Sequence, residues 1–154
     1  MLGLAPWLVL RHVVRRPVAW LAAALGYVFA FCYTSLDVLA GIGAGTLQQR
    51  NNGVGREFMF ARGNEIAEFG GYAYLLAAVI AAIVMVTRAR FRLLPAVLLV
   101  VGGAWSFMDS HVYYPRGFLT LLALAVGWGL LAYAVNESKP SPSVENDPVA
   151  PGEK

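Results

Sequence analysis

Cysteine, histidine and charge are all scarce in this chain. Its 154 residues include one cysteine and two histidines, and only 14% are charged. A lone cysteine excludes an internal disulfide, a CxxC redox pair and a cysteine-rich zinc site. Cys32 sits inside an apolar run and reads as a small buried hydrophobe. There is no serine-nucleophile motif, no HExxH and no ExxH to carry hydrolytic or metal chemistry. The glycine-rich "GIGAG" is followed by no Lys-Ser/Thr, which excludes a phosphate loop.

What is present is apolar surface. Hydrophobic residues make up 58% of the chain, and soluble domains carry about 25% charge rather than this chain's smaller share. The missing charge is concentrated in four blocks, at about 18–36, 69–86, 93–108 and 117–135. A hydrocarbon core needs roughly 20 apolar residues of helix, and in lipid every backbone polar group must be paired internally. Strand-like alternation is absent from these blocks, so a β-barrel is excluded. The predicted fold is all-α: a polytopic membrane protein with four transmembrane helices in a bundle over residues 17–136. A short amphipathic N-terminal helix precedes it, and a disordered C-terminal tail follows.

Arginine placement sets the expected orientation. Arg11, Arg15 and Arg16 precede the first block, Arg88, Arg90 and Arg92 fill the turn between the second and third, and Lys139 and Lys154 follow the fourth. The opposite loops hold Arg50, Arg56, Arg62 and Arg116. This asymmetry predicts a plasma (inner) membrane protein with both termini cytoplasmic. The small net charge of +3 is read through this placement and gives no indication of nucleic-acid binding. His12 and His111 then lie on opposite sides, which excludes a bis-histidine haem, and no cofactor is expected.

Residues 1–16 read as an interfacial helix with a basic stripe (Arg11, His12, Arg15, Arg16) and an apolar one (Trp7, Leu10, Val14). The alternative is a cleaved signal peptide, with "AGIGA" as its cleavage site. The Pro-, Ser- and acid-rich residues 137–154 should be disordered and cytoplasmic. The outer loop, 41–68, carries Gly41 and Gly45 at the spacing that lets helices approach closely. "NNGVG" within it reads as a turn. Asn64 is placed to cap the second helix, with Glu65 and Glu68 in its first turn.

Most carboxylates outside the tail collect at the outer face. Asp37, Arg62, Glu65, Glu68, Asp109, His111 and Arg116 form the candidate polar cluster. One reading is a structural belt, with Asp109 paired to Arg62 or Arg116. The other is a metal, proton or catalytic site built on Asp37, Glu65, Asp109 and His111, with His111 as a base beside Asp109. The first reading implies a non-enzymatic subunit of a transporter or other membrane complex, associating with the bilayer and with other subunits or itself through small-residue helix faces. The second implies a membrane enzyme or ion-handling protein acting on a lipid or quinone.

The stretches "REFMFARGNEIAEF" and "NEIAEFGGYAYLLAAVIAAIVMVTRARFR" resemble the acidic opening and second helix of the small four-helix membrane subunit of TRAP transporters. That resemblance implies four helices, both termini inside and a subunit role. The family's Trp before the acidic pair is missing here. A Gly-rich insert follows helix 1, and "RARFRLLP" replaces the family's His/Asp segment.

Overall fold

A computed structural model describes residues 2–110 and 114–137. Among them the chain is helical. A 3-10 turn, Leu2–Leu4, leads into α1 (Ala5–Leu10). Next come α2 (Arg16–Leu36), a π-helical stretch (Asp37–Gly43) and α3 (Ala44–Gln49). Helix α4 runs from Gly53 to Ala89, and a 3-10 turn, Arg90–Leu93, leads into α5 (Leu94–Ser110). Helix α6 is Arg116–Glu137. Three helical stretches are long and apolar enough to cross a membrane: Arg16–Gln49, Gly53–Arg88 and Arg116–Glu137. A shorter apolar helix, Leu94–Asp109, is the fourth.

The four apolar blocks thus all lie within helices, and consecutive helices pack antiparallel. Gly70 lies against Cys32 and Phe29 of α2, Gly71 against Met108 of α5, and Gly127 of α6 against Val100 and Ala96 of α5. Small side chains line many of the helix contacts. Ala22, Ala77, Ala78, Ala81 and Ala104 are fully buried, while Ile83, Leu98 and Trp105 on the same bundle's helices are exposed. Small residues let helix backbones approach, which brings more atoms into dispersion contact. At one level the core is aromatic: Phe29 stacks on Tyr33 and Tyr74 at 4.6 and 4.7 Å, and Phe107 closes the group. The buried Tyr74 hydroxyl accepts a hydrogen bond from Trp128 Nε1 at 2.8 Å.

Residues 41–68, expected as a loop, form instead the tip of a long helical hairpin. The turn at its end is set by two asparagines. Asn51 takes a left-handed φ of 53°, which Asn tolerates better than most residues. The Asn51 and Asn52 amides then donate to the Gln48 and Leu47 carbonyls at 3.1 and 2.9 Å, closing α3 in a Schellman arrangement. Asn52 in turn caps α4, its side-chain oxygen accepting from Gly55 N–H at 2.9 Å. Asn64 is therefore not a cap. It lies inside α4, as do Glu65 and Glu68, well beyond the first turn. Packing overrides the local glycine signal: Ala44 is buried, a Cβ at Gly63 would lie 3.0 Å from Leu36, and one at Gly43 would lie 3.6 Å from Met59. Beyond the end of α5 the hairpin continues over residues 53–68, about 24 Å at 1.5 Å per residue.

The N-terminal segment also departs from expectation. Instead of one helix over residues 1–16, α1 stops at Leu10 and the chain reverses through residues 11–15. Pro17 is the reason: its ring would clash with the Val13 carbonyl in a continuous helix, and it has no N–H to donate. Arg15 turns extended (φ −59°, ψ 146°) and α2 starts afresh. Helix α1 then lies antiparallel on α2. A Cβ at Gly26 would overlap the Gly3 carbonyl, Trp7 meets Trp20 with ring centroids 6.5 Å apart, and Leu10 is fully buried. The basic stripe is accordingly broken at the reversal. The tail over residues 138–154 lies outside the described residues.

Candidate functional site

The antiparallel helices sort charge to two ends. The starts of α2 and α5 and the ends of α4 and α6 share one end, with Arg11, Arg15, Arg16, Arg88, Arg90 and Arg92 near it. Asp37, Asp109, Arg116 and the hairpin share the other.

At the hairpin end the predicted cluster resolves into separate local pairs. Arg62 bonds Glu65 at 2.7 Å, one helical turn away. Arg116 Nη2 lies 3.2 Å from Asp109 Oδ2, joining the start of α6 to the last turn of α5. Tyr72 Oη donates to Glu68 at 3.3 Å. Arg56 reaches back across the turn to Gln48 Oε1 at 2.6 Å and lies 3.8 Å from Glu57. Asp37 is exposed at the start of the π-helical stretch. His111 lies outside the described residues. Among the described residues, no three His, Cys, Asp or Glu side chains group as metal ligands. The pairs are solvent-open: both members of the Asp109–Arg116 pair are 64% exposed. Such pairs are worth about 0–1 kcal/mol each.

The hairpin itself presents an unfilled surface. A shallow groove between α3 and α4 is lined by Ala40, Gly41, Ala44, Gly45, Arg56 and Phe60, among others. A Cβ added at Gly41 or Gly45 would meet nothing within 4 Å. The close approach their spacing allows is thus not used among the described residues. Val38, Ile42, Val54 and Phe58 stand exposed along the same hairpin. Sequence reasoning names the two glycines but misses the surface, because it reads residues 41–68 as loop. The available signal is the four-residue spacing of small residues at Ala40, Ala44, Gly63 and Ala67.

Deeper in the bundle, Ser106 and Thr120 hydroxyls meet at 2.9 Å between α5 and α6. At the arginine end, a second cleft lies between α1 and α2, lined by Trp7, Arg11, Arg16, Ala19 and Trp20.

The fold defines the chain as an all-helical bundle with three helices apolar enough to cross a membrane and a shorter fourth. No protein-family model matches it, and no curated protein or solved structure matches it either.

Proposed function

We propose that the chain is an integral inner-membrane protein with four transmembrane helices and cytoplasmic termini, acting as a non-enzymatic subunit of a membrane complex. The membrane assignment is supported by the apolar exterior: alanines line many of the helix contacts while large side chains such as Trp20, Ile83, Leu98 and Trp105 face out. A soluble monomer of this size would not expose so much contiguous apolar surface. The orientation rests on the arginines gathered at the end where α2 begins and α6 ends.

The subunit role rests on one observation, the hairpin. It extends beyond the bundle, pairs Arg56 with Gln48 and Glu57 and Arg62 with Glu65 locally, and leaves open both the Gly41/Gly45 face and a row of large apolar side chains. Complementary packing on such a face requires small residues and no net unpaired charge. Among membrane complexes, a transporter is the first to examine, given the resemblance of residues 56–92 to the TRAP small subunit.

The test is cross-linking in native membranes from cysteines placed at Gly41 and Gly45 in a Cys32→Ser background. Adducts with a discrete partner or a second copy from Gly41→Cys, lost when Gly45→Leu is added to that variant, are the expected result. A chain that runs as a monomer in mild detergent, with no adduct from either position, would refute the subunit role.

A further inference from the structure

We infer that the cleft between α1 and the first turns of α2 binds the phosphate headgroup of an anionic phospholipid. This rests on the membrane assignment above and not on the partner surface. The cleft measures about 270 Å³, just under the roughly 300–1,000 Å³ of pockets that bury a drug-sized ligand. That volume suits a headgroup whose acyl chains stay outside.

The cleft's walls are fixed by backbone register. With Gly3 seated on Gly26 and Trp7 beside Trp20, the same antiparallel run brings Arg11 and Arg16 to one cleft. The Arg11 guanidinium lies over the Trp7 ring at 5.0 Å, and its Nε donates to His12 Nε2 at 2.9 Å. Both contacts orient Arg11 without neutralising it.

No carboxylate pairs with Arg11, Arg15 or Arg16 among the described residues. Helix α2 has no acidic residue in its first turn and no side-chain cap. Three cations therefore crowd the positive end of a helix dipole, an arrangement that is unfavourable until an anion is supplied. A phosphodiester supplies the charge and also oxygens that fit a guanidinium fork. Trp7, Trp20 and Ala19 make the rest of the lining apolar, and tryptophan favours the level where headgroup meets acyl chain. A phosphate attached to hydrocarbon fits both halves of the cleft; free phosphate fits one.

The test uses the full chain purified in mild detergent. It is titrated separately with phosphatidylglycerol, phosphatidylcholine and inorganic phosphate, with bound ligand counted by native mass spectrometry. Saturable binding of phosphatidylglycerol is expected, with no such binding of phosphatidylcholine and no displacement by inorganic phosphate. Arg11→Gln/Arg16→Gln should weaken binding about thirtyfold, from about 1 kcal/mol per cation near an anionic surface at 1.4 kcal/mol per decade. Should that double variant not fold, Arg16→Gln alone, at an exposed position, should lose about fivefold on the same basis. Arg88→Gln/Arg92→Gln removes equal charge from the same end but outside the cleft, and should leave binding nearly unchanged. Equal loss in both double variants, equal binding of the two lipids, or displacement by inorganic phosphate would each overturn the inference. A chain that stays soluble without detergent would sink the membrane assignment as well. One that needs detergent yet ignores phosphatidylglycerol would sink only the cleft.

Discussion

Replacing Gly26 is the most direct perturbation of the α1–α2 contact. An added Cβ there would fall on the carbonyl of Gly3, a backbone atom that no rotamer change can move. Small-to-large changes in a packed interior cost about 1–3 kcal/mol. At 1.4 kcal/mol per decade, docking of α1 should therefore weaken about 5- to 140-fold in Gly26→Ala, and further in Gly26→Leu. Leu10 reports the docked state, since it is fully buried there. In a Cys32→Ser background, a Leu10→Cys thiol should resist maleimide when Gly26 is retained and label rapidly when Gly26→Leu is added. Gly102 and Gly129 are the internal controls, because a Cβ at either meets nothing within 4 Å. Alanine at those sites should be neutral or stabilising by up to about 1 kcal/mol, through helix propensity. If Gly26→Leu leaves Leu10→Cys protected and the unfolding midpoint unchanged, α1 does not pack as described and the lipid cleft falls with it.

Other expectations follow from the same contacts. Asp109→Asn and Arg116→Gln should each shift stability by less than about 1 kcal/mol, since the pair is exposed; a larger loss of unfolding midpoint in detergent would show a buried role. Tyr74→Phe removes the acceptor for Trp128 Nε1, and a double-mutant cycle with Trp128→Phe should give a coupling of about 0.6–1.7 kcal/mol by denaturant titration in mixed micelles. A coupling near zero would mean the 2.8 Å bond contributes nothing. A reporter fused after Lys154 should be active only in its cytoplasmic form; periplasmic activity would reverse the orientation.

The apolar helices are legible in the sequence because their signal is coarse: four long runs without charge, each of which lies within helical residues. The charge partners are half legible. Sequence offers Asp109 either Arg62 or Arg116, and the end-on meeting of α5 and α6 selects Arg116. The hairpin is not legible, since Gly41, Gly43, Gly45, Gly53, Gly55 and two Asn residues all count toward loop in a local reading. Their effect is decided by the opposite helix. Gly43 and Gly63 serve close packing, and Asn51 and Asn52 confine the break to a few residues. The N-terminal reversal is written in Pro17, but the four-residue spacing of arginines obscures it. His111 and the tail lie outside the described residues.

The unbroken course of α4 also has a mechanical consequence. From Gly53 to Ala89 its hydrogen-bond ladder runs without a loop at the level where α5 ends. A flexible connection there would absorb a displacement of the tip. A continuous helix instead acts as a rigid lever, with its fulcrum where Gly70 and Gly71 seat against Cys32 and Met108. A load applied at the Arg50–Asn52 turn becomes torque on the aromatic layer of Phe29, Tyr74 and Phe107. A force at the tip would thereby bear directly on the tilt of the helices below it.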